Sequence, residues 1–106
     1  MDYCVVLVTV SSESEAKTIA RALVEERLAA CVNIIPGLTS IYRWEEKICE
    51  DRELLLVIKT QGHKMAALRE RIVHLHSYAV PEVIALPISD GSARYLEWLD
   101  NCLIAP

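Results

Sequence analysis

The chain reads CVNIIPGLTSIYRWEEKICEDRELLLVIKT from Cys31 to Thr60, and this stretch decides the fold. Both of its ends are rich in β-branched and aliphatic residues, as in buried strands. Pro36-Gly37 interrupts the first half, and because proline lacks a backbone donor we expect a bulge within one long strand there. Glu45-Glu46-Lys47 reads as a polar turn. Residues 31–60 are therefore predicted to form a long hairpin that projects from a small domain.

A strand and a helix are predicted before this hairpin. The run Tyr3–Val10 is short and valine-rich, which favours a buried strand. Ser12 and Glu15 fit the S-x-x-E capping box at a helix N-terminus. Apolar residues then recur at spacings of three and four as far as Leu28, which predicts an amphipathic helix.

A helix, a short strand and a last helix are predicted after the hairpin. The second helix has its apolar residues on one face: Met65, Leu68, Ile72 and Leu75. The fourth strand is predicted at Val83–Leu86, closed by Pro87. The last helix is expected to begin at a Ser92 cap and to turn four side chains inward: Tyr95, Leu96, Leu99 and Cys102.

This order of elements, βαββαβ with a C-terminal helix, is the ferredoxin-like arrangement of the α+β class. We predict a four-stranded antiparallel sheet with right-handed crossovers and a long hairpin between its second and third strands. The 106 residues form a single domain, 1–106, because the chain is too short for two. A projecting apolar hairpin leaves strand edges exposed, so we expect an oligomer that covers it.

Composition and charge argue against several classes of function. Hydrophobic residues make up 53% of the chain and charged residues 25%, which is typical of a globular protein. A net charge of −4 without a basic run argues against nucleic-acid binding. No apolar stretch approaches the ~20 residues that span a membrane, and no signal peptide is expected. The four cysteines have no metal or redox spacing, so buried, reduced thiols are expected.

Several spaced motifs resemble the CutA family. The segment around the hairpin contains LAACVN, PG, S-x-Y-x-W and IKT in the order and register of that family. The run HSYAVPE at His76–Glu82 resembles the family's H-P-Y-x-x-P-E segment, and YLEWL at Tyr95–Leu99 resembles its closing Y-L-x-W motif. The resemblance covers nearly the whole chain without gaps.

This resemblance implies a cytoplasmic homotrimer that is associated with copper and other divalent cations and is not an enzyme. Family members with a described metal site use a cysteine and two adjacent histidines as ligands. Val8 and Leu75 stand at two of those positions, so His76 is the only matched metal ligand, and a histidine that favours a helix C-terminus is an equal alternative for it. Copper(II) is therefore the one cofactor that is expected, and it is expected to bind weakly.

Other residues are candidates for a cleft or a subunit interface. Tyr42 and Trp44 are expected to line a cleft or to pack between subunits. Lys59 is expected opposite the segment from Tyr78 to Glu82, where it holds an anion or pairs with Glu82.

The remaining polar candidates are expected to be solvated. Carboxylates attract hard cations, but for the acidic residues of the hairpin a solvated face is the favoured interpretation: Glu45, Glu46, Glu50, Asp51 and Glu53. His63 and His74 are expected at the surface, and Cys31 is expected to be buried.

Two other functions fit the same fold. A PII-like sensor would bind a small anion or nucleotide in the subunit clefts, but the chain has no glycine-rich phosphate loop. An acylphosphatase-like enzyme would need an arginine in the loop after the first strand. That loop reads VSSES from Val10 to Ser14, without arginine. The weak cation-binding trimer is therefore the favoured function.

Overall fold

The elements of the computed structural model, which describes residues 3–104, follow the predicted order. The strands are β1 (Tyr3–Val10), β2 (Cys31–Trp44), β3 (Lys47–Gln61) and β4 (Ile84–Pro87). The helices are α1 (Glu13–Glu25), α2 (Met65–Leu75) and α3 (Ala93–Leu103), and a 3-10 turn (Gly62–Lys64) precedes α2.

The four strands form one antiparallel sheet in the order β2-β3-β1-β4, which confirms the α+β ferredoxin-like fold. Burial alternates along β1, and its inward residues Cys4, Val6, Val8 and Val10 form the centre of the core. Residues of α1, α2 and the inner half of β3 pack against them. A second, smaller cluster joins α3 to Ala30 and Tyr3.

Helix α1 begins as predicted and ends earlier than predicted. The Ser12 hydroxyl accepts a hydrogen bond from the Glu15 backbone N–H at 3.2 Å, so the predicted cap is confirmed. The helix ends at Glu25 instead of Leu28. Arg27 has a φ of 58°, and this left-handed residue turns the chain out of the helix towards β2.

The predicted hairpin is confirmed and is longer than the predicted strands. The ladder between β2 and β3 shifts register between Ile35 and Leu38, where Gly37 has a φ of 80°. Trp44 pairs with Lys47 across a two-residue turn, in which Glu45 and Glu46 have φ values of 49° and 66°. The molecule measures 44 × 26 × 23 Å because the outer part of the hairpin extends beyond the core.

Three details near the C-terminus differ from the predictions. Strand β4 begins at Ile84 instead of Val83 and includes Pro87, which an edge strand tolerates because one side of its backbone faces away from the ladder. Ser92 occupies the N-cap position of α3, but its side chain donates and accepts no capping bond. Tyr95 is 41% exposed instead of inward-facing, while Leu103, which was not predicted, is buried with Leu99.

The four cysteines, all within the described residues, are thiols and not disulfides. Cys4 is buried, but Cys31, Cys49 and Cys102 are only half-buried, so the prediction that Cys31 is buried is wrong. Cys31 lies near the edge of the sheet, where β2 has no further strand to cover it. Among residues 3–104 no helix combines the length and the apolar character needed to cross a bilayer.

Candidate functional site

A groove of about 660 Å³ lies where the outer part of the hairpin meets the segment that follows α2. We call it the hairpin groove. Strand β2 and strand β3 supply one wall and residues 78–82 supply the other, and the lining side chains include Tyr42, Trp44, Glu53, Tyr78, Val80 and Glu82. Four of the predicted cleft residues therefore do lie together, namely Tyr42, Trp44, Tyr78 and Glu82.

The lining of the hairpin groove is aromatic and acidic. Tyr42 and Trp44 stand at alternate positions of β2, so they share a face of the strand, and they are 41% and 45% exposed. The charged lining residues are Glu53 and Glu82, and among the described residues no lysine, arginine or histidine lines the groove. The groove is thus suited to a positively charged ligand and unsuited to an anion.

Glu53 was predicted to be solvated, and that prediction is wrong. The residue is only 6% exposed, and the Tyr78 hydroxyl donates a hydrogen bond of 2.6 Å to its Oε2. Burial and this bond to a carboxylate raise the pKa of Tyr78 above its usual value, so the phenol stays protonated and keeps donating. The segment after α2 covers Glu53, which sequence reasoning could not anticipate because Tyr78 is 25 residues away.

Tyr42 makes the corresponding contact at the open rim. Its hydroxyl donates to Oδ2 of Asp51, the residue that pairs with Ser40 across the hairpin. The hydrogen bond to this carboxylate is the main reason that the pKa of Tyr42 rises to about 12. Both tyrosines of the groove are therefore neutral hydrogen-bond donors, each directed at a carboxylate.

His76 lies behind the groove, directly after α2, with its side chain fully buried. Its Nε2 is 2.7 Å from the backbone oxygen of Thr9, and its Nδ1 is 3.0 Å from the Tyr78 backbone nitrogen. Because a carbonyl oxygen only accepts, these partners assign the proton to Nε2 and leave Nδ1 as the acceptor for the Tyr78 N–H. Both ring nitrogens are thus engaged, and the imidazole orients the chain at Tyr78.

Glu15 connects α1 to the same segment. Its carboxylate accepts the Ser77 backbone N–H at 2.6 Å and the Ser77 hydroxyl at 3.1 Å, and its Oε2 is 3.7 Å from His76 Nδ1. Burial alone would raise the pKa of Glu15, but the two bonds from Ser77 outweigh burial and lower the pKa. Glu15, His76 and Tyr78 together hold the second wall of the groove against the core.

The residues present do not form a multidentate metal site. Among residues 3–104 no group of three or more His, Cys, Asp or Glu side chains could hold a metal ion. Val8 is fully buried in the core, and Leu75 packs against the same core. At His76 a metal on Nδ1 would have to displace the Tyr78 N–H, so weak copper binding at His76 stays a prediction.

The placement of Lys59 differs from the predicted one. Lys59 lies six positions beyond Glu53 along β3, about 20 Å away at the rise of a strand, and it does not line the groove. Its ammonium group donates to Oδ1 of Asn33 on the neighbouring strand, and no bond to Glu82 is present among the described residues. A role for Lys59 at a subunit interface stays a prediction. His63 and His74 are exposed, as predicted.

Sequence reasoning missed two residues that shape the site. Glu15 was assigned to the capping box, but its carboxylate bonds to Ser77, 62 residues away. Thr9, whose carbonyl oxygen meets His76, was assigned only to a strand. No sequence signal identifies Thr9, because a backbone oxygen is independent of the side chain.

A model of the family described as CutA1 divalent ion tolerance protein matches residues 4–102. The chain is 63% identical over 95 residues to the Divalent-cation tolerance protein CutA of Thermus thermophilus, covering 90% of this chain and 92% of that protein. It is 53% identical to the chloroplastic Protein CutA of Arabidopsis thaliana over 92% of this chain, but it spans only about half (53%) of that relative's length. Its fold is similar to the solved structure of the periplasmic divalent cation tolerance protein CutA of Archaeoglobus fulgidus, with a TM-score of 0.94 and 37% identity, over 96% of this chain and 99% of that one.

Proposed function

This chain belongs to the CutA1 divalent ion tolerance family, and from this premise we propose that it acts in divalent-cation tolerance as a non-enzymatic homotrimer that binds copper(II) weakly. The observation that carries the trimer is the apolar surface of the outer hairpin. Four large side chains there are between 41% and 67% exposed: Ile41, Tyr42, Trp44 and Ile48. Burying one such side chain contributes about 1.5–3 kcal/mol, so a partner that covers all four stabilises an assembly.

The sheet edges support the same proposal. Strands β2 and β4 are the two edges of the sheet, and Ile84 and Leu86 of β4 are half-exposed. Exposed apolar edges promote uncontrolled pairing unless another subunit covers them. A closed ring of three copies covers every such edge equally.

The mass of the protein in solution tests the trimer. Light scattering coupled to size exclusion at micromolar concentration is expected to give three times the chain mass of 11.9 kDa. A mass of 11.9 kDa under these conditions would contradict the proposal. Exchange between wild-type and tagged subunits provides an independent check, because a ring of three yields two mixed species.

The proposed cation site is His76 with Glu15 beside it. The imidazole and the carboxylate are separated by 3.7 Å, a spacing that allows one small ion to contact both after a local adjustment. Copper(II) is preferred over other divalent ions at a nitrogen ligand, as the Irving–Williams order requires. The ion must displace the Tyr78 N–H from Nδ1, so binding is weak, and acid weakens it further because protons compete for the same ligands.

Titration calorimetry with copper(II) tests this site with a matched pair of variants. His76→Ala is expected to abolish binding, and His74→Ala, an exposed histidine on the last turn of α2, is expected to leave it unchanged. Because His76 is buried, circular dichroism checks that the variant is folded, and Glu15→Gln provides a second test that keeps the imidazole. Equal affinity in the wild type, His76→Ala and Glu15→Gln would show that the ion binds elsewhere.

The proposal includes a cytoplasmic location and no catalysis. Thiols that form no disulfide fit a reducing compartment, although the similar protein of Archaeoglobus fulgidus is described as periplasmic. Cell fractionation tests this point, and recovery outside the cytoplasm would overturn it.

The relatives are named as tolerance proteins and not as enzymes, and the loop after β1 has no arginine for an acyl phosphate. A PII-like function as an anion sensor is disfavoured by the acidic lining of the hairpin groove.

A further inference from the structure

The carboxylate of Glu53 is buried, and no basic side chain among residues 3–104 pairs with it. It is 94% buried, since only 6% of it is exposed, and its one hydrogen-bond partner is the neutral Tyr78 hydroxyl. Glu82 adds a second carboxylate to the same groove, and neither forms an ion pair with a basic side chain within residues 3–104. A buried carboxylate without a cationic partner is costly, so a cation that enters the groove recovers part of that cost.

The walls of the groove identify the kind of cation. Trp44, Tyr42 and Tyr78 present aromatic rings, whose faces attract cations within about 6 Å. The hydroxyls of both tyrosines donate to carboxylates, which increases the electron density on the rings. A bare metal ion is expected to bind weakly in this groove. Aromatic rings do not coordinate such an ion, and the described residues contain no cluster of three ligands. An ion with alkyl groups uses both the rings and the carboxylates.

We propose that the hairpin groove binds a small alkylated ammonium ion. Its volume of about 660 Å³ is in the range of small-molecule sites. The charge of the ion lies near Glu53 at the buried end, and its alkyl groups contact Trp44 and Tyr42 towards the rim. Glu53, Tyr78 and Glu82 belong to one protomer, but Tyr42 and Trp44 also belong to the surface that the proposed trimer covers, so in that trimer the groove lies at the border between two subunits. It is also distinct from the copper site, which lies behind Tyr78 at His76.

Tetramethylammonium chloride is the probe, and tert-butanol is its neutral counterpart of similar shape. The Trp98→Phe variant leaves Trp44 as the single tryptophan, so its fluorescence reports on the groove directly. Tetramethylammonium is expected to change this fluorescence in a saturable manner, with an affinity roughly tenfold or more above that of tert-butanol. Equal affinity for the two, or no binding of either, overturns the proposal.

Charge-removing variants locate the ion. Glu53→Gln retains an oxygen acceptor for Tyr78 but removes the charge, and it is expected to weaken tetramethylammonium binding by roughly tenfold. Glu50→Gln is the matched control, because Glu50 is an exposed residue of the same hairpin outside the groove, and about twofold or less is expected. If Glu53→Gln does not fold, Glu82→Gln at the rim takes its place, with about a threefold loss expected.

Two further outcomes decide against the proposal. An unchanged affinity in both Glu53→Gln and Glu82→Gln means that the ion binds outside the groove. Displacement of tetramethylammonium by an equal concentration of Mg²⁺ means that the carboxylates act as a hard-cation site and the rings contribute nothing. The mass of each sample is measured in parallel, so a missing trimer and a missing ammonium site are separate results.

Discussion

The two halves of strand β3 have nearly the same length but opposite surroundings. From residue 54 to residue 61 the side chains are buried or half-buried, and Leu56, Ile58 and Thr60 are fully enclosed by the helices. From residue 47 to residue 52 none is buried, although Ile48 is as apolar as Ile58. The inner half stabilises the single chain through its buried side chains. The outer half contributes to stability or binding only when it contacts a ligand or another subunit. Glu53 lies at the boundary between them.

The largest difference between the halves is expected for truncation of an apolar side chain. Leu56→Ala leaves a cavity in the core and is expected to lower the free energy of unfolding by about 2–5 kcal/mol. The same kind of change in the outer half, Ile48→Ala, removes a side chain that is 65% exposed in the single chain and is covered only by the proposed partner subunit, so a smaller loss of about 1–2 kcal/mol is expected. Urea denaturation at matched protein concentration measures both, and equal losses would mean that Ile48 is buried by a partner as fully as Leu56 is by the core.

The outer half of the hairpin is expected to contribute to assembly of the trimer through Trp44. Trp44→Ala removes the largest exposed ring of the hairpin and is expected to weaken the trimer and lower the melting temperature, with a loss of about 2 kcal/mol or more if Trp44 is an interface hot spot. Val24→Ala is the control, because Val24 is similarly exposed (43%) but lies on α1, away from the hairpin. An unchanged melting temperature with an intact trimer would exclude Trp44 from the interface.

Two tyrosine variants, Tyr78→Phe and Tyr42→Phe, test whether the boundary at Glu53 separates buried from exposed carboxylates. Tyr78→Phe removes the hydroxyl that serves the buried Glu53, and a loss of about 1–3 kcal/mol in unfolding free energy is expected. Tyr42→Phe removes the equivalent bond to the exposed Asp51, where water replaces the donor, and little or no loss is expected. Thermal unfolding of the two variants side by side measures the difference. If both cost the same, Glu53 is as hydrated in solution as Asp51.

A smaller effect of opposite sign is expected at the hairpin turn. Glu46 has a φ of 66°, a left-handed conformation that costs a residue with a side chain roughly 1 kcal/mol. Glu46→Gly relieves this strain at some entropic cost, so a net stabilisation of less than about 1 kcal/mol is expected. Glu50→Gly, in the regular part of β3, is expected to destabilise instead. Denaturant midpoints compare the two, and destabilisation by Glu46→Gly would contradict the assigned turn geometry.

The smallest effect is expected on the stability of the folded chain at alkaline pH. The pKa of Tyr42 is raised to about 12 in the folded chain, against about 10 in an unfolded one. The bond to Asp51 therefore contributes fully below about pH 10 and is lost as the pH rises through 12. Ultraviolet titration of the phenolate, with Tyr42→Phe as the difference sample, is expected to assign one transition near pH 12. A transition near pH 10 would mean that the hydroxyl does not donate to Asp51.

Much of the fold is predictable from local patterns, and much less of the site is. The bulge at Pro36-Gly37 was predicted because proline and glycine act through their own backbone chemistry. Tyr42, Trp44, Tyr78 and Glu82 were candidates for a cleft or a subunit interface; they line one groove, and their role at an interface stays a prediction. Lys59 was misplaced because the position of a strand residue depends on where the partner strands begin.

By itself the sequence determined the order of the elements, the Ser12 cap, the bulge and turn of the hairpin, and the family, since these depend on residues that are neighbours in the chain. The tertiary structure decided which polar groups are buried. Glu53 is enclosed because the segment at Tyr78 packs over it, and Glu15 acts on Ser77 because α1 and the end of α2 meet above the same sheet. Burial changes the energy of a charge far more than that of an aliphatic side chain, and it is set by contacts between residues distant in sequence, which no local pattern records.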